Sequence, residues 1–158
     1  MERLLFRSNE GIFQKQENQM NIQEAKSEEE ISKCFEVIHG LRPHLIKENF
    51  VSLILTMMNE GYRLAYIEID GKAVSAIGFR YLQFLHAGKH FYIDDLTTLP
   101  QYRGKGYGSR LLDFVFELGR NSGLKKITLD SGDQRFDAHR LYLNKGFKIS
   151  SHHFVKEI

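Results

Sequence analysis

Hydrophobic positions along this chain change period several times, and each change predicts an element. Asn21 to Ala25 reads as a first strand. Ser27 with Glu30 makes a capping box, and Ile31, Phe35 and Ile38 behind it predict a helix that Gly40 closes. Phe50, Leu53, Ile54 and Met57 share one side of a second helix over 47–59, with Gly61 after its end and Leu41 to His44 in the loop between the two. From Tyr62 the period becomes strand-like, and Asp70-Gly71 is a two-residue hairpin signal joining 63–69 to 73–85. Ala87-Gly88-Lys89 predicts another hairpin into a strand that carries Tyr92 to Thr98. Leu111, Leu112, Val115 and Leu118 then recur at helical spacing up to Asn121-Ser122-Gly123. A short buried strand follows over 126–130, and Ala138, Leu141 and Tyr142 share a face of a last helix that Gly146 ends as a C′ residue. Two closing strands are expected over 147–150 and 152–156, for an order βααβββαβαβ with a terminal strand. Residues 1–19 are polar, with scattered Leu and Phe, and read as an extension to a single domain over 20–158.

Composition narrows the class of protein. A chain of 158 residues with 42% hydrophobic content suffices for one compact domain and is short for two. Its net charge of +2 comes from interleaved acids and bases, without the dense basic stripe that neutralises a nucleic-acid backbone. The single cysteine, Cys34, excludes an intramolecular disulfide and any Cys-x-x-Cys motif, as suits a reducing compartment. No apolar run approaches a membrane span, and Leu4-Leu5-Phe6 is too brief for a signal-peptide core. A cytoplasmic protein that binds neither nucleic acid nor membrane is expected. The seven histidines show no metal-ligand spacing, and no metal is expected.

The most informative stretch is Arg103-Gly104-Lys105-Gly106-Tyr107-Gly108, three alternating glycines between a strand and a helix. Glycine takes φ > 0 without strain, so such a turn can aim successive N–H groups at one anion, and the helix N-terminus behind it adds unpaired amides and a favourable dipole. A phosphate-bearing ligand is implied. The stretch lacks the spacing of a Walker loop, and its Gly-x-Gly-x-Gly falls too late in the chain for a dinucleotide fingerprint.

With Arg103, Gly106 and Gly108 in place, the stretch resembles motif A of the GCN5-related N-acetyltransferases (GNAT family). Ala138 to Phe147, with Tyr142 and Gly146-Phe147, resembles motif B of the same family and follows at a family-like distance. The resemblance covers 20–158, most specifically Asp94 to Phe147. It implies an α/β fold, more narrowly α+β: a mixed, largely antiparallel sheet of six to seven strands, flanked by about four helices and splayed to admit acetyl-coenzyme A as co-substrate. It further implies that Leu96, Thr97 and Thr98 hydrogen-bond the pantetheine arm, and that the amides of Gly104, Lys105, Gly106, Tyr107, Gly108 and Ser109, beside Arg103, meet the phosphates. One departure from the family pattern is Arg135, where many members carry Asn seven positions before the Tyr.

Acetyl transfer to an amine requires that the amine lose a proton, since with an ordinary pKa of about 10.4 only roughly one molecule in a thousand is neutral near pH 7.4. The candidate bases are Asp94, Asp95 and Asp130, alone or through water. Neighbouring strand residues face opposite ways, so one of Asp94 and Asp95 is expected to enter the cleft, with Asp95 favoured. The plain alternative is that these carboxylates cap turns or pair with Arg80, Arg135 or Lys89. Tyr142 suits the general acid for the departing thiolate, an uphill transfer of about 2 kcal/mol for ordinary tyrosine and thiol values; alternatively its ring simply fills the core. The acceptor is expected to be a small-molecule amine, with a protein amino group and a homodimer both left open. The tail from His139 to Phe154 is similar to that of bacterial aminoalkylphosphonate N-acetyltransferases, and Arg42 or Arg80 would suit an anionic group on the amine. The rival reading is a non-catalytic acyl-coenzyme A binding or interaction module of the same fold.

Overall fold

A computed structural model describes residues 21–158. The extension expected over 1–19 lies outside the described residues. Five strands form one sheet in chain order: β1 (Ile22–Glu24), β2 (Tyr62–Ile69), β3 (Lys72–Phe84), β4 (Gly88–Thr98) and β5 (Ile127–Leu129). The first three pairings are antiparallel and β4 with β5 is parallel, so the sheet is mixed as expected.

Among the described residues three helices precede β2. The predicted first helix is divided at Cys34 into α1 (Glu28–Lys33) and α2 (Phe35–His39), and α3 spans Lys47–Asn59. The capping box forms as read: Ser27 Oγ accepts from the Glu30 amide, and the Glu30 carboxylate accepts from the Ser27 amide at 2.9 Å. After β4 come a single 3₁₀ turn at Pro100–Tyr102, α4 (Tyr107–Asn121) and, beyond β5, α5 (Phe136–Asn144).

The helices cover both faces of the sheet, which explains why β2 and β3 read as nearly unbroken apolar runs. Leu64 and Tyr66 of β2 pack with Ile31, Val37, Phe50 and Ile54 of the early helices. Ala65 and Ile67, on the opposite face, pack with Leu111, Leu112 and Val115 of α4. Each fully buried aliphatic side chain contributes roughly 1.5–3 kcal/mol of transfer free energy, so α4 is pinned firmly enough to hold its N-terminus in place. Gly119 brings it close to the sheet: a Cβ there would lie 3.4 Å from Ile127 Cδ1.

Two expectations are corrected. The strands expected over 147–150 and 152–156 do not form, which leaves five strands among the described residues instead of six or seven. Strand-like composition does not suffice without a packed partner face: Ile149, Phe154 and Val155 lie at the surface. The second correction concerns β4. Gly78 pairs with Asp95 but Phe79 pairs with Ile93, so Asp94 is the extra residue of a β-bulge. The bulge resets the alternation, and Asp94 and Asp95 reach the same cluster of side chains instead of opposite faces.

Candidate active site

β4 and β5 pair only over Phe91–Ile93 and Ile127–Leu129. Beyond that point β4 continues to Thr98 while β5 has ended, and the sheet opens. A cleft of about 940 Å³ occupies the opening. Its walls include Leu96, Thr97 and Thr98 of β4, the turn residues Arg103, Gly104 and Gly106, the start of α4 at Tyr107, Gly108 and Ser109, and Tyr142 of α5. Nine of the ten residues expected to hold the coenzyme therefore line one cavity. Lys105 does not line it; its ammonium lies 5.2 Å from the centre of the Tyr102 ring.

The turn has the shape an anion requires. Gly104 and Gly106 take φ of +74° and +83°, and Gly106 is the N-cap of α4 with no side-chain cap bond. No side chain at the N-cap thus competes for the first amides of α4, whose residues Tyr107, Gly108 and Ser109 line the cleft. Arg103, also on the wall, donates from Nε to the Thr98 carbonyl at 3.1 Å, which ties the turn to the end of β4. A Cβ on Gly108 would meet Leu141 Cδ2 at 3.4 Å and Thr98 Oγ1 at 3.9 Å, so α4, α5 and β4 converge closely there. This donor set, a ring of backbone N–H groups at a helix start, fits a diphosphate.

Tyr142 is half-buried with its ring against Phe147 at 5.8 Å. Burial raises its hydroxyl above the ordinary tyrosine value, with Arg135 acting in the opposite direction. Gly146 ends α5 with φ of +87°, and the Phe147 amide donates back to the Tyr142 carbonyl at 3.0 Å, which fixes the last turn that bears the Tyr.

None of the three carboxylates lines this cleft; they gather where β4 and β5 part. Asp95 accepts from Arg42 Nε at 2.9 Å and from the Tyr62 hydroxyl at 3.0 Å, so both of its oxygens are engaged. Arg42 Nη2 also donates to the Asp94 carbonyl. Asp94 accepts from Arg80 Nε at 2.8 Å, and the Arg80 guanidinium stacks 5.5 Å from the Tyr62 ring centre. Burial raises the Asp94 carboxyl above its ordinary value, against the pull of Arg80. Tyr62, deeply buried beside Asp95, is pushed well above the usual tyrosine range, first by burial. Asp130, just past β5, accepts from the Tyr92 hydroxyl at 2.7 Å, and His153 Nδ1 lies 3.4 Å from the same oxygen. Of the partners foreseen for these acids only Arg80 is found.

Tyr62 and Tyr92 escaped the sequence reading because a tyrosine in a buried strand looks like core. Gly40, Leu41, Gln134 and Phe136 on the cleft wall carry no local signal, whereas Ala138 and Leu141 lie on the same helix face as Tyr142. Arg135, the departure from the family pattern, also lines the cleft. Among the described residues no group of three or more His, Cys, Asp or Glu is placed to hold a metal ion, and no helix is long and apolar enough to cross a membrane.

Comparison with known proteins agrees with this geometry. The family model described as "Acetyltransferase (GNAT) family" matches residues 25–147. An uncharacterized N-acetyltransferase, YhdJ, of Bacillus subtilis (strain 168) is 32% identical over 141 residues, covering 88% of this chain and 99% of the relative. The aminoalkylphosphonate N-acetyltransferase of Salmonella typhimurium is 37% identical over 102 residues, which is 63% of this chain and 64% of that protein. Among solved structures, AAC(6')-Iy in complex with the bisubstrate analog CoA-S-monomethyl-acetylneamine superposes with a TM-score of 0.76 at 13% identity, covering 88% of this chain and 97% of that one. A putative acetyltransferase from Agrobacterium tumefaciens str. C58 gives a TM-score of 0.75 at 20% identity, over 87% of this chain and 99% of that one.

The chain belongs to the GNAT acetyltransferase family. It is accordingly an acyltransferase that moves an acetyl group from acetyl-coenzyme A to an amine.

Proposed function

We propose that residues 20–158 acetylate a small primary amine that also carries an anionic group, with Tyr142 as general acid to the departing thiolate. One observation carries this reading: Tyr142 and the glycine turn share a cleft, while Asp94, Asp95, Arg42 and Arg80 form a mixed-charge cluster at the bulge of β4. In that cluster the carboxylates draw in an ammonium, and the guanidinium N–H groups not used on Asp94 and Asp95 suit a phosphonate or carboxylate. The named substrate class of the Salmonella relative is of this kind.

When bound, acetyl-coenzyme A supplies the activated acetyl group. The protein's part is to hold the diphosphate on the amides of Gly104 to Ser109 and the pantetheine along Leu96 to Thr98. It also excludes water and delivers a proton from Tyr142 Oη. Because Asp95 has both oxygens occupied, we assign Asp94 and Asp95 to orienting the ammonium and leave Asp130 as the acid best placed to serve proton removal. We place the protein in the cytoplasm, where the buried free thiol of Cys34 stays reduced.

The test is thiol release from acetyl-coenzyme A across a panel of aminoalkylphosphonates, amino acids, polyamines and peptides, with products identified by mass. Turnover of aminoalkylphosphonates above the corresponding simple amines supports the assignment. Equal turnover of charged and uncharged acceptors removes the role given to Arg42 and Arg80. Light scattering of the same protein reports whether it is a dimer.

A further inference from the structure

The carboxylates at the bulge are each held by an arginine and are assigned above to orienting the ammonium, yet that ammonium must be deprotonated before it can attack. Imidazole is the side chain whose ordinary titration lies nearest neutrality, and one imidazole stands at the acceptor end of the sheet. His153 Nδ1 lies 3.4 Å from Asp130 Oδ2, and the Tyr92 hydroxyl donates to that same oxygen at 2.7 Å. Tyr92 belongs to β4 two residues before the bulge, and Asp130 follows the end of β5, so the pair spans the mouth of the opening in the sheet. We propose that His153 and Asp130 form a dyad that takes the proton from the acceptor ammonium, with Nε2 of His153 as the accepting atom.

The geometry assigns each part. With its hydroxyl pushed well above the ordinary value by burial and by its bond to Asp130, Tyr92 remains a donor and keeps the Asp130 carboxylate an acceptor. A small rotation of the exposed ring from its 3.4 Å approach would let Nδ1–H donate to that oxygen, and in the proposed dyad this tautomer leaves the Nε2 lone pair free. Asp130 faces the ring at Nδ1, and the charges of Asp94 and Arg42 act on the Tyr92 hydroxyl that bonds the same carboxylate oxygen. His153 is exposed, so substrate and water reach it.

The protons balance. Nε2 accepts one proton from the ammonium, giving an imidazolium paired with Asp130 and a free amine lone pair. The N–C bond to the acetyl carbon forms, the C–S bond breaks, Tyr142 protonates the sulfur, and the second nitrogen proton is lost to solvent, which also restores Tyr142. The imidazolium returns its proton to solvent.

This proposal rests on the acetyltransferase reading, and the experiment separates the two. Thiol release from acetyl-coenzyme A is measured from pH 5.5 to 9.5 for the native protein, His153→Gln, His152→Gln and Asp130→Asn. Two acceptors are used: 2-aminoethylphosphonate, which is an ammonium at neutral pH, and hydroxylamine, which is already uncharged there. His153→Gln is expected to lower kcat/KM for the ammonium acceptor on the order of 100-fold at pH 7, to regain activity as the pH approaches that of the amine, and to leave hydroxylamine turnover and His152→Gln unaffected. Asp130→Asn is expected to follow His153→Gln. Equal losses on both acceptors mean a structural role and overturn the dyad, as does a His153→Gln profile matching the native one. If the native protein releases thiol with neither acceptor, the assigned substrate class falls and the dyad with it; binding of coenzyme A in the same sample then shows that the fold's cofactor site is intact.

Discussion

Replacing Gly106 with alanine isolates the contribution of the glycine turn. Gly106 has φ of +83° and ψ of 6° as the N-cap of α4, and a Cβ built there meets nothing within 4 Å. No clash is introduced, so the whole effect is backbone strain, roughly 1–2 kcal/mol for a side-chain-bearing residue in the left-handed region. In the free variant the turn relaxes and its amides swing from the cleft. Binding must then restore the strained conformation, and the strain appears in the affinity: at 1.4 kcal/mol per tenfold, coenzyme A should bind about 5- to 30-fold more weakly by calorimetry. Gly61, between α3 and β2, is the matched control, with φ of +92° and equally open surroundings. Gly61→Ala should lower stability by a similar amount and leave coenzyme affinity alone. If Gly106→Ala binds coenzyme A as tightly as the native protein, the turn does not hold the diphosphate through its amides.

Other expectations follow from the same geometry. Tyr142→Phe should lower kcat about 10- to 100-fold with coenzyme A affinity unchanged, as read by steady-state kinetics beside calorimetry. Because burial raises the Tyr142 hydroxyl, its acid form persists to higher pH than that of a free tyrosine, so the alkaline limb of kcat should lie above the ordinary tyrosine value and vanish in the variant. Gly78→Ala would drive a Cβ into the hydroxyl oxygen and Cζ of Tyr62; forced overpacking of this kind should cost about 3 kcal/mol in chemical denaturation and break the Tyr62 to Asp95 bond. Ser27→Ala removes the oxygen that accepts from the Glu30 amide and should cost about 1 kcal/mol with no change in kinetics.

Local chemistry made the glycine turn and the helix caps of this protein legible, and tertiary pairing hid the charged cluster at the bulge. The capping box, the Asp70-Gly71 hairpin, the turn at Gly104 to Gly108 and the Gly146 cap are each written in a few adjacent residues, and each forms as read. The tail over 147–158 has the same strand-like composition as β3, but composition cannot say whether a neighbour will offer its edge, and here none does. Asp94 and Asp95 show the same limit more sharply. Alternation sends adjacent residues to opposite faces only in a regular strand, and the sequence of β4 carries no mark of where the ladder slips. The slip is visible in its partner instead. Gly78 is the one residue of β3 whose missing Cβ leaves space for the Tyr62 hydroxyl, which then reaches Asp95. A bulge opposite a strand glycine thus turns two carboxylates toward one cluster and draws Arg42, 53 residues before Asp95, onto the Asp95 carboxylate and the Asp94 carbonyl. Charge at the bulge is therefore set by backbone register before any side chain is chosen, and moving that slip by one residue would separate Asp94 from Asp95 more completely than substituting either.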